Sequence, residues 1–76
     1  MKHYYMIVEH MEEKTRDTFT TAEHEQASSY EQAVNAIDES DAQCGYKVVK
    51  STLIAKTDKP DNRLFSRLQT RQRRND

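Results

Sequence analysis

The apolar residues of this chain gather in short runs, and their spacing changes from one run to the next. Tyr4, Tyr5, Met6, Ile7 and Val8 are consecutive, aromatic or aliphatic. A run of this kind is apolar on both faces of an extended chain, so 2–11 is expected to be a strand in the interior of a sheet. The polar stretch Glu12, Glu13, Lys14 and Thr15 predicts a hairpin turn. Beyond it, Thr18, Phe19, Thr20 and Thr21 stand on a polar background. They predict a second, antiparallel strand over 16–26, exposed along one edge.

The period then lengthens. Tyr30, Ala33, Val34 and Ile37 share one face of a helix, with Glu31, Gln32, Asn35, Asp38 and Glu39 on the other. Ser28 with Glu31, or Ser29 with Gln32, has the spacing of a capping box, in which a hydroxyl satisfies a free amide of the first turn. The helix should fade over 41–44, before Gly45, the only glycine. Val48, Val49, Leu53 and Ile54 predict a third strand over 46–57, with an alternation that slips near Ser51 and so suggests a bulge. The segment 57–62 holds the only proline and breaks regular structure.

These elements define an α+β chain of order β-β-α-β. The expected architecture is a three-stranded, mainly antiparallel sheet covered by one helix, forming a domain over 1–57. The remainder, 58–76, is expected as a basic C-terminal tail or a short helix over 63–74. Tyr30, Val34 and Ile37 should bury against residues drawn from Tyr5, Ile7, Phe19, Val48, Val49 and Ile54. Tyr4 and Tyr5 are adjacent on a strand, so one must face away from whatever covers the other.

Size limits what such a fold can do. A chain of 76 residues buries only about 60% of its unfolded surface, and its single core is marginal. Cys44 is the only cysteine, so no internal disulfide can staple it. The thin core favours a second copy, and a homodimer is expected slightly more often than a monomer. A lone thiol and an opening run too short for an export signal or a membrane span place the chain in the cytoplasm, with no membrane contact.

Charge adds the strongest functional hint. Residues 1–44 carry three bases and ten acids, a formal −7, whereas 45–76 carry nine bases and three acids, a formal +6. The overall charge of −1 hides this sorting, which suits contact with a charged macromolecule better than with a small metabolite. In the basic part, Arg63, Arg67, Arg71 and Arg74 are spaced by four, four and three residues, so a helix would align them. Such a stripe suits phosphates or an acidic protein surface, and equally a solvated tail. In the acidic part, Glu23 and Glu25 on the second strand and Asp38 and Glu39 on the helix are the candidate partner-binding groups. No base-reading motif accompanies the arginines, so nucleic-acid contact would be to the backbone and non-specific.

Catalytic and metal chemistry have weaker support. His3, His10, His24 and Cys44 lack the spacing of a compact metal site, and His3 and His10 differ in strand parity. They are expected to be scattered surface residues. Cys44 near a helix C-terminus is placed against thiolate formation. One glycine cannot build a phosphate-cradling loop. No enzyme activity, metal or cofactor is expected.

Three segments together resemble a known group. The start Lys2-His3-Tyr4-Tyr5-Met6-Ile7-Val8-Glu9, the acidic second strand, and Gln26-Ala27-Ser28-Ser29-Tyr30-Glu31-Gln32-Ala33 are similar in order and texture to compact type I-F anti-CRISPR proteins of phages and mobile elements. The resemblance spans about 2–57. It implies a sheet with one covering helix, a charged surface, and stoichiometric binding that blocks a nucleic-acid channel. The partner it implies is a host protein or protein–nucleic acid complex, and the binder is an inhibitor.

Overall fold

A computed structural model describes residues 1–73, with side chains to Gln69. Five elements follow in order: β1 (Lys2–Glu12), β2 (Thr18–Ala27), α1 (Tyr30–Gln43), β3 (Tyr46–Thr57) and α2 (Asn62–Arg73). The sheet order is β2-β1-β3, antiparallel throughout, with the most apolar strand in the middle. Strand β1 pairs on both sides along nearly its whole length, from Lys2↔Ala27 to Met11↔Thr18 and from His3↔Thr57 to Glu12↔Tyr46.

Alternation along β1 sorts its side chains between two layers. Tyr4, Met6 and Val8 pack with Ala27, Ala33 and Ile37, and Tyr30, Val34 and Val48 lean on that cluster. This is the face that α1 covers. Tyr5 belongs to the opposite face and is only 1% exposed, because α2 covers it. The sheet is therefore closed by two helices on opposite faces, not by one. The expected partners of α1 shift accordingly. Tyr5 and Ile7 have the wrong parity to meet α1, and Phe19, Val49 and Ile54 remain 42–43% exposed. Both members of the Tyr4–Tyr5 pair are buried, each under its own helix.

Local signals set the ends of the elements. Ser29 is the N-cap of α1, its Oγ accepting from the Gln32 N–H at 3.2 Å, while the Gln32 side chain reaches back to the Ser28 N–H at 3.3 Å. Of the two candidate capping boxes, Ser29 with Gln32 is the one formed. Gly45 ends the turn after α1 with φ of 84°, a conformation that side chains strain to adopt. The slip in β3 is resolved as two irregularities, between Tyr5 and Met6 and between Glu9 and His10 on the β1 side. Val49 and Ile54 are the unmatched residues, and Ser51 between them keeps its place opposite Val8.

The start of α2 is fixed by Asp61, whose carboxylate accepts from the Leu64 N–H at 3.1 Å. Its own N–H donates to the Tyr5 hydroxyl at 2.5 Å, which ties the helix to the central strand. Leu68 is buried at 3% exposure, and Leu64 and Phe65 are half-buried. A segment outside the domain expected over 1–57 therefore supplies one of the buried apolar residues.

Candidate functional site

Polar groups concentrate in three places: under α1, on the edges of the sheet, and under α2. Under α1, His10 is 4% exposed, at the end of the parity series Tyr4, Met6 and Val8. Its Nδ1 lies 2.5 Å from Asp41 Oδ2, and its Nε2 lies 2.7 Å from Thr21 Oγ1. Thr21 in turn donates to Glu23 Oε2 at 2.5 Å, and Glu23 Oε2 is 3.7 Å from Nε2. Phe19 stacks on the ring at 4.8 Å.

The order Asp41–His10–Thr21 imitates the hydrogen-bond order of a hydrolytic triad. Proton counting argues against that chemistry. The hydroxyl of Thr21 has one proton and gives it to Glu23, so it accepts from His10. A ring nitrogen that donates to the hydroxyl has no lone pair there with which to activate it. The cluster acts as a strut joining β1, β2 and α1.

The predicted acidic residues are divided by this architecture. Glu23 faces the α1 side on β2 and is engaged by Thr21 and His10. Glu25, two residues on, shares that face, and its pKa is raised above the usual carboxylate value by burial first and by the neighbouring Glu23 second. Asp38 is held at the other edge, where Oδ1 accepts from the Val48 N–H of β3 at 3.1 Å. Glu39 is exposed on α1. Glu23 and Asp38 are thus bonded against opposite edge strands, and the four acids do not form one patch.

The basic half is also divided. Lys47, Lys50 and Lys56 are exposed on β3, an edge strand of twelve residues with no acid. Lysines there oppose edge-to-edge pairing. Arg63 and Arg67 are exposed on α2, which packs on β2 and β1 instead of on the basic β3. Neither forms an ion pair among the described residues. The side chain of Arg71 and all of Arg74 lie outside the described residues. The sequence therefore has two charge poles, but the fold lays the basic helix over the acidic strand.

Under α2, the histidines are again not scattered surface groups. His24 stacks on Tyr5 at 4.6 Å with planes 6° apart and on His3 at 5.1 Å, and Phe65 of α2 tilts onto it at 6.1 Å. His3 Nδ1 and His24 Nε2 are 2.9 Å apart. Burial lowers the His24 pKa from its ordinary value, and His3 lowers it further.

Sequence reasoning passed over both clusters, although a signal existed for each. Asp41 continues the buried stripe Tyr30, Ala33, Ile37 by one more turn, and a carboxylate there needs a partner. His10 has the parity of the core residues of β1. His24 faces Tyr5 directly in the antiparallel register, but only the register reveals that.

Beyond α2, the second sheet face is open. Ile7, Glu9, Thr20, Lys50 and Thr52 line a shallow hollow of about 260 Å³ there. Among the described residues no helix is long and apolar enough to cross a membrane. Comparison with protein families, with curated proteins and with solved structures finds no match to this chain.

Proposed function

We propose that this chain is a non-enzymatic binding protein that occupies a charged surface of a nucleic-acid-handling host complex, in the manner of the small mobile-element inhibitors its sequence resembles. The observation that carries the reading is the set of exposed charges on helices and strands that form no ion pair among the described residues: Lys47 and Lys50 on β3, Arg63 and Arg67 on α2, and Glu39 on α1. Helices and strands fix the backbone that carries these charges, so a partner has only side chains to order and not the chain itself. A pull-down from host lysate, with and without nuclease, tests the reading. A protein partner retained after nuclease supports it, and capture of nucleic acid alone overturns it. Sedimentation of the free chain decides whether the homodimer expected from the thin core belongs to the same reading.

A specific observation favours a second reading, direct contact of α2 with nucleic acid. Glu23 and Asp38 are engaged in internal hydrogen bonds, whereas Arg63 and Arg67 are exposed and form no ion pair among the described residues, so their guanidinium groups can fork onto phosphates. Under this reading, replacing both arginines with glutamine reduces the log–log salt slope of binding by about 0.7 per lost contact on single strands. An unchanged slope overturns it.

A further inference from the structure

The contact between α2 and the sheet is unusual in its chemistry. Tyr5, His24 and His3 form a column of stacked rings, Phe65 closes it from the helix, and the Tyr5 hydroxyl holds the N–H of Asp61, the residue just before the helix. Within the column, His3 Nδ1 and His24 Nε2 stand 2.9 Å apart. A hydrogen bond between two imidazoles needs a lone pair on one of them, so at most one ring can be cationic. With both protonated, two donors and two like charges face each other at that distance.

The surroundings offer no compensation. From β1, the groups facing His24 are His3 and the neutral Tyr5. From α2, Phe65 faces it, and the charged residues of that helix among those described, Arg63 and Arg67, are cations. The Asp61 carboxylate is engaged by the Leu64 N–H. Glu23 and Glu25, which flank His24 in β2, belong to the opposite face of the sheet. His10 is the contrast, with Asp41 and Glu23 set on its two nitrogens.

We infer that the His3–His24 pair is a pH-operated latch, which holds α2 on the sheet while the pair carries at most one proton and releases it when both rings are protonated. Release uncovers Tyr5, Phe65 and Leu68 and frees the arginine-bearing helix from β2. The lowered pKa of His24 has the matching sign. A histidine whose folded pKa lies below its ordinary value of 6.5 gives its full stabilisation above that value. The stabilisation is lost as pH falls from there through the folded pKa. The inference depends on the docking of α2 alone and holds whichever partner the protein binds.

Amide hydrogen exchange followed by NMR on the full chain, corrected for intrinsic rates, tests the latch. Between slightly alkaline pH and pH 5, protection of α2 amides should fall progressively relative to those of α1, the direction that the lowered His24 pKa requires. The ratio to α1 separates release of the helix from general destabilisation. His24→Phe, which keeps a stacking ring but cannot titrate, should hold the ratio constant with pH. His3→Gln, with a fixed neutral side chain, is the second variant and should make the fall smaller without abolishing it, because burial still lowers the His24 pKa when His3 is gone. A wild-type ratio that does not change with pH overturns the inference. So does a ratio that falls equally in His3→Gln.

Discussion

The two faces of the sheet are closed by the same device, a helix laid over one central strand, yet they are built from different materials. Under α1 the contact is mostly aliphatic and tight: Tyr4, Met6, Val8, Ala33 and Ile37 are all at most 5% exposed. Under α2, among the described residues, only Tyr5 and Leu68 are buried, aromatic rings do much of the covering, and the far half of the face stays open. Each interface also includes a histidine. His10 is set between the Asp41 carboxylate and the Thr21 hydroxyl, which engage both of its nitrogens, whereas His24 is set beside a second histidine that competes with it for one proton. The first arrangement fixes α1 to both β1 and β2. The second makes the attachment of α2 conditional. A small domain can thus keep one helix as its permanent core and a second as a detachable surface.

The sharpest way to break this comparison is to remove one buried side chain from each face. Ile37→Ala should destabilise the whole domain by about 2–5 kcal/mol, as cavities in aliphatic cores do. In so small a protein that is most of the available stability. Leu68→Ala should cost about 2 kcal/mol, near the lower limit for such changes, because α2 covers only one end of the sheet. Urea unfolding followed by circular dichroism measures both. Equal losses, with α1 and α2 melting together in each variant, would show one cooperative core and defeat the contrast.

A second test targets the histidine under α1. Asp41→Ala leaves the buried His10 ring without its nearest acceptor, and removal of one partner of a buried pair typically costs about 3 kcal/mol or more. The loss should appear as reduced hydrogen-exchange protection in α1, β1 and β2 together. Were the loss confined to the C-terminal turn of α1, the cluster would be an ornament of the helix end and not a strut.

How much of this could be seen in the sequence depends on which interactions decide each feature. The strands, α1 and its cap follow from near-neighbour chemistry: the run at Tyr4–Val8, the Ser29–Gln32 box, the position of Gly45. The bounds of β3 fall where Val48, Val49, Leu53 and Ile54 imply. The docking of α2 does not follow, because Leu64, Phe65 and Leu68 make a short apolar strip among arginines. Only the unclaimed parity of Tyr5 and Ile7 indicates that such a strip is needed. Expecting Tyr5 and Ile7 under α1, where Tyr4, Met6 and Val8 lie, is an error of parity, which a run apolar on both faces cannot settle. The candidate site suffers most, since Asp41 lies 31 residues from His10 and Phe65 lies farther still from His24, and they meet only through the register and the docking of the helices.

Tyr5→Phe probes the α2 face more finely. It keeps the ring on His24 and removes the oxygen that accepts from the Asp61 N–H, a loss of about 1 kcal/mol. The effect should be a modest drop in α2 protection with α1 unchanged. If α1 amides lost protection as well, the two faces would be coupled through β1.

The smallest expected effect lies on β2, where Glu25 shares a face with Glu23. Its folded pKa is raised, by burial and by that neighbour, so the native state holds a proton more readily than the unfolded chain. The sign is then opposite to that of an ordinary paired carboxylate. The destabilisation is absent at pH below the usual carboxylate value. It grows as pH rises through the window up to the raised folded value, and is constant above it. Glu25 is only partly buried, so screening by the solvent it still meets keeps the effect small. Glu25→Gln should therefore raise the melting temperature slightly at neutral pH and leave it unchanged in mild acid, measured by thermal scans at low salt. A variant that is less stable at neutral pH would mean that Glu25 is held by an attractive partner. The acidic edge beside α1 would then be as firmly built as the core beneath it.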